Sequence, residues 1–126
     1  MIDHTGIGVA DMARSAAFYD AALGALGLRR AMQLPANDGS DGIGYGVRYP
    51  VFWIDRYHPP GVKQHTAFVA QSREEVEAFH AAAIEAGGID NGAPGYRPVP
   101  KDYPTYYAAF VLDPDGNNIE AVFREA

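Results

Sequence analysis

The chain has 126 residues, 48% of them hydrophobic and 21% charged, with a formal net charge of −6 and no cysteine. Without cysteine it can build neither a disulfide scaffold nor a thiolate zinc or iron–sulfur site nor a thiol nucleophile, so any metal must be held by histidine and carboxylate. The excess of acidic over basic residues argues against a nucleic-acid partner, and no apolar run approaches membrane-spanning length.

The amino terminus, Met1-Ile2-Asp3-His4, lacks a basic segment leading into an apolar one, so the sequence reads as a complete cytoplasmic protein. A first β-like run covers Ile2 to Val9. Asp11 then caps a helix on which Met12, Ala16, Tyr19, Leu23 and Leu26 recur at helical spacing, and Gly27 stops it. Three β-like runs follow: Leu28 to Leu34, Ile43 to Tyr49 and Val51 to Tyr57.

The pattern then repeats. Residues 4–27 laid on residues 65–88 agree at His4/His65, Thr5/Thr66, Phe18/Phe79 and Gly27/Gly88, with four Ala pairs that weigh less in an Ala-rich chain. Gln64 to Ala70 is the second copy's first strand. Ser72 and Glu75 make an S-x-x-E capping box, and Val76, Phe79, Ala83 and Ala86 mark the second helix. Further runs are expected around Tyr96 to Val99, at Tyr106 to Leu112 and at Asn118 to Arg124, the last two joined by the hairpin signal Asp113-Pro114-Asp115-Gly116-Asn117. Prolines 94, 98, 100 and 104 make residues 91–105 a loop or edge strand that could act as a lid.

Each half therefore reads βαβββ, with modules at about 1–60 and 61–126 in a single α+β domain, 1–126. Neither module can bury both a sheet face and a helix alone, so the two should pair into a cupped, barrel-like mixed sheet with helices outside and a ligand in the concavity. Strand alternation puts His4, Gly6 and Gly8 on one face and Thr5, Ile7 and Val9 on the other. In the second copy it separates His65 and Ala67 from Thr66 and Phe68.

Both histidines should thus face the concavity and approach each other as a candidate metal pair. Glu120, between the apolar Ile119 and Ala121, can supply a carboxylate. The alternative is two satisfied core histidines and a solvent-facing glutamate.

These residues resemble the vicinal oxygen chelate superfamily of glyoxalase, bleomycin-resistance and extradiol dioxygenase proteins over essentially the whole chain. The resemblance is carried by His4, Ala16-Ala17-Phe18-Tyr19, His65-Thr66-Ala67-Phe68 and above all the string Phe110 to Glu120. It implies paired modules, a cupped sheet and a divalent ion (Fe, Mn, Ni or Zn) on His4, His65 and Glu120. It also implies a homodimer, because members commonly pair modules between chains.

Glyoxalase I-like members carry a fourth ligand on the last strand of the first module. Trp53 occupies that place here unless Asp55 substitutes through a two-residue shift, which weakens the isomerase reading. The remaining triad resembles the sites of extradiol dioxygenases and fosfomycin-resistance thiol transferases, whose open positions suit vicinal oxygens of a small substrate. Trp53 and Tyr103 are candidate substrate-binding residues, and Tyr106, Tyr107 and His58 candidate proton-handling catalytic residues. The alternative, which strand composition favours, is tyrosines in ordinary strand packing and His58 as a loop residue at the module junction. Two functions follow: a metal-dependent dioxygenase, lyase or transferase, or a metal-free small-molecule binding protein of bleomycin-resistance type.

Overall fold

A computed structural model describes residues 1–125. The elements run β1 (Thr5–Gly8), α1 (Met12–Gly24), β2 (Arg29–Leu34), β3 (Gly42–Gly46), β4 (Phe52–Asp55), β5 (His65–Val69), α2 (Arg73–Glu85), β6 (Ile89–Tyr96), β7 (Tyr107–Leu112) and β8 (Asn118–Phe123). They form two four-stranded sheets of matching topology, β1-β4-β3-β2 and β5-β8-β7-β6, each with one parallel pair. Among the described residues no strand of one sheet pairs with a strand of the other, so the sheets are open rather than a closed barrel.

The helix starts follow the sequence signals. The Asp11 carboxylate accepts from the Arg14 amide at 3.0 Å and the Ser72 hydroxyl from the Glu75 amide at 3.1 Å, each satisfying an amide that has no partner within the helix. The Glu75 side chain turns back onto the Gln71 amide, one residue earlier than a strict capping box requires. α1 buries Phe18, Tyr19, Ala22 and Leu23, and α2 buries Val76, Phe79 and Ala83. The repeated pair Phe18 and Phe79 is fully buried in one core shared by both modules, and truncating either to alanine would cost about 3–5 kcal/mol. Phe52 of β4 meets Phe68 of β5 edge to face in the same core.

Strand bounds depart from the sequence expectation where backbone pairing fails. The expected strand at Tyr96 to Val99 is instead β6, which pairs with β7 from Ile89 to Tyr96 as an edge strand. Pro98 and Pro100 have no amide to continue that ladder, while Pro94 is tolerated inside a register shift between Gly92 and Gly95. β3 stops at Gly46 instead of Tyr49, because the Tyr49 carbonyl folds back over Gly46 in the turn to β4.

The Asp113 to Asn117 segment forms the β7–β8 turn and also ties the modules together. Buried Asp113 accepts from the Asp115 and Asn117 amides, the Asn117 side-chain amide and, at 2.5 Å, the Tyr19 hydroxyl of α1. Asp115 reaches the Ala10 amide and the Ser15 hydroxyl at the start of α1. Burial first, and then the Asp113 charge, push the Tyr19 hydroxyl well above the usual tyrosine pKa.

Candidate functional site

The faces of the two sheets turned away from the shared core carry the candidate residues. On the second sheet, His65 opens β5 and Glu120 lies in the middle of β8, where parallel register pairs it with Ala67. His65 and Ala67 share a face, so the imidazole stands beside the carboxylate, with Nε2 3.2 Å from Glu120 Oε1. His65 Nδ1 lies 2.8 Å from the Asn118 carbonyl oxygen, which only accepts, so Nδ1 carries the proton. Glu120 is 3% exposed, and the Tyr106 hydroxyl donates to its Oε2 at 2.5 Å. Burial and then this bond push the Tyr106 pKa up to about 12.

Each member of the His65–Glu120 pair thus has its far atom fixed by a protein partner and its near atom turned toward the other. With the proton on Nδ1, Nε2 and Oε1 are two acceptors 3.2 Å apart, an arrangement satisfied by a second proton on the ring or by a cation. A donor set of one imidazole nitrogen and one carboxylate oxygen, both oriented from behind, fits two positions of a divalent ion's coordination sphere.

The third expected ligand is elsewhere. His4 precedes β1, with Nδ1 2.7 Å from Asp3 Oδ1, and borders a cavity of about 290 Å³ on the first sheet together with Leu34, Trp53, Asp55, Tyr57 and His58. No group of three or more His, Asp or Glu converges among the described residues. The chain therefore brings together His65, Glu120 and Tyr106 but leaves His4 on the other sheet.

Register explains the place of Trp53. Gly6 pairs with Trp53 in the first module as Ala67 pairs with Glu120 in the second, so the indole stands where the second module has its carboxylate. It lies over Gly44, where a Cβ would come within 2.8 Å of the ring. Asp55, two residues further along β4, is buried and turned to His58, whose Nδ1 lies 2.9 Å from Oδ2, and it also accepts from the Tyr57 and His58 amides.

Tyr107 points the opposite way from Tyr106: it is buried on the helix side, donates to Glu77 of α2 at 2.7 Å and packs on Tyr96. Tyr103 is exposed on the connection between β6 and β7. Two arginines not assigned to the candidate site from the sequence lie at the His65–Glu120 face. The Arg124 guanidinium sits 4.6 Å from the Tyr106 ring centroid, and that of Arg97 sits 5.4 Å from the Phe110 ring, which itself stacks against His65. Alternation along β8 already puts Arg124 on the face of Glu120, whereas nothing local marks Arg97.

With this geometry in view, a family model described as the Glyoxalase/Bleomycin resistance protein/Dioxygenase superfamily matches residues 1–121, and the chain belongs to that superfamily. Among solved structures it is similar to a glyoxalase/bleomycin resistance protein from Albidiferax ferrireducens T118, at 36% identity, 99% coverage of both chains and a TM-score of 0.76.

It shares its fold with lactoylglutathione lyase from Agrobacterium tumefaciens, at 18% identity, coverage of 98% of this chain and 92% of that one, and a TM-score of 0.68. It also shares its fold with a mutant of the fosfomycin resistance protein of Listeria monocytogenes, solved with Mn(II) and 1S,2S-dihydroxypropylphosphonic acid. That match has 17% identity, covers 97% and 88% of the chains, and has a TM-score of 0.65. No curated protein matches the chain.

Proposed function

We propose that this protein is a divalent-metal-dependent enzyme acting on a small molecule with vicinal oxygens, with His65, Glu120 and His4 as the ligand set. The observation that carries the reading is the His65–Glu120 pair: a buried carboxylate and an imidazole fixed from behind by Tyr106 and the Asn118 carbonyl, with facing atoms 3.2 Å apart. When bound, the ion supplies Lewis-acid polarisation of substrate oxygens. Tyr106 holds Glu120 in one orientation, and its hydroxyl is the nearest proton carrier to the carboxylate. His58, held by Asp55, and Trp53 belong to the ligand-facing wall of the first module, and the exposed Tyr103 on the β6–β7 connection is a further substrate contact.

Because His4 lies on the other sheet, the reading takes 1–126 as one domain of two modules that completes its site with a second copy of the chain. The first module of one copy then faces the second module of the other, as an isologous pair would arrange them. In this reading the reaction is of dioxygenase, lyase or transferase type.

Elemental analysis after anaerobic incubation with Fe(II), Mn(II), Ni(II) and Zn(II) tests it. Near-stoichiometric metal in the wild type that disappears in His65→Ala is expected. Metal-free protein under all four conditions would overturn the enzyme reading. It would favour instead a metal-free binding protein of bleomycin-resistance type, for which Trp53 in the place equivalent to Glu120 is the supporting observation.

A further inference from the structure

The edge strand β6 is built to hold one side chain. At Gly92 a Cβ would come 2.9 Å from the Phe110 ring and 3.2 Å from Arg97 Nη2, and at Gly95 it would come 3.1 Å from Arg97 Nη1. The two glycines leave a groove along the strand, and the Arg97 side chain lies in it. Gly92 also has φ of +154°, a conformation that side-chain-bearing residues rarely adopt, so the groove is fixed in the backbone as well as in the sequence.

From this groove the Arg97 guanidinium stacks on Phe110 and donates to the Ala93 carbonyl at 2.7 Å, which uses one of its five N–H donors. Across the same face, Arg124 lies over the Tyr106 ring. Neither arginine makes an ion pair with a carboxylate among the described residues, although acidic residues exceed basic ones by six in this chain. The carboxylate on this face, Glu120, is occupied by His65 and Tyr106. Phe110 lies opposite Glu120 in the β7–β8 register, so the ring that carries Arg97 shares the face of Glu120.

A preordered guanidinium with spare donors, a second one on the same face and, among the described residues, no carboxylate ion-paired to either form a receptor for an oxyanion. We propose that this face binds a substrate through a carboxylate or phosphonate group held by Arg97 and Arg124. The inference deepens the reading of the His65–Glu120 face as the ligand site, but it needs no metal and is tested without one.

The experiment is calorimetric titration of chelator-treated protein at low salt with benzoate, phenylphosphonate and the neutral benzamide. Saturable one-site binding of at least one anion is expected, with benzamide about tenfold weaker or more, since a charge-assisted hydrogen bond is worth at least that factor. The tighter anion identifies the group. Arg97→Gln should weaken that anion about tenfold or more, and Arg29→Gln on the first sheet should leave it unchanged.

Gly95→Ala, which keeps the charge but crowds the groove, should weaken the same anion in part. Absence of saturable binding up to about 10 mM anion, or equal losses in Arg97→Gln and Arg29→Gln, would overturn the proposal. Wild type that takes up none of the four ions on incubation, yet binds the anion through Arg97, would sink the metal reading while leaving this one intact.

Discussion

At the scale of single residues, the chemistry of the candidate site depends on which atom of each side chain is already engaged. His65 spends Nδ1 on a backbone carbonyl and Glu120 spends Oε2 on Tyr106, leaving Nε2 and Oε1 as the pair's working atoms. Tyr106→Phe removes one such support without changing a ligand, so metal affinity should fall about tenfold to a hundredfold while the fold survives. Competition with a chromophoric chelator measures this, and unchanged affinity would mean that Tyr106 does not orient Glu120.

Alternation along the chain made His65, Ala67 and Glu120 legible as one face, and Tyr106 and Tyr107 as opposite faces. Which tyrosine looked toward Glu120 was not legible, because both neighbours of the strand, helix and open face, offer a carboxylate partner, Glu77 or Glu120.

At the scale of elements, the β7–β8 turn does more than reverse the chain. Asp113 gathers four hydrogen bonds, one of them from Tyr19 on a helix of the other module. Asp113→Ala would leave the Tyr19 hydroxyl and the Asn117 amide without a buried acceptor, at a cost of about 3 kcal/mol or more. The urea midpoint should drop with the slope unchanged.

Tyr19 and Tyr45 both have their hydroxyls pushed above the usual tyrosine range, chiefly by burial and then by Asp113 and Asp20 respectively. Because these folded-state values are raised, the stability they contribute is fully present below about pH 10 and is lost as pH rises above it. In an alkaline absorbance titration of the eight tyrosines, Tyr19 and Tyr45 should ionise only with unfolding. Their ionisation in the native state, near pH 10, would contradict the buried bonds.

At the scale of the whole molecule, the two halves of the candidate ligand set stand on separate sheets of one chain. If a second copy completes each site, His4→Ala and Glu120→Ala chains are each metal-poor alone but complement when mixed. In a mixed dimer the intact His4 of one copy faces the intact His65 and Glu120 of the other. Statistical reassociation should restore about a quarter of wild-type metal content. No restoration after verified subunit exchange would mean that each site is closed within one chain, and a light-scattering mass of a single chain would remove the dimer itself.

The sequence by itself determined the local structure and the repeat. Caps at Asp11 and Ser72, helical faces centred on Phe18 and Phe79, and period-two alternation in β5 and β8 are interactions between residues close in the chain or copied by the internal repeat. They leave their mark on composition and spacing. Only the tertiary structure decided that His4 stays apart from His65, that Trp53 stands where the second module has Glu120, that the β7–β8 turn is bonded to α1, and that Arg97 lies in a glycine groove on β6. These depend on how two sheets and two helices pack and on which strands far apart in sequence lie side by side: alternation fixes the face each residue takes, but the neighbour it meets is chosen by burial across the whole fold.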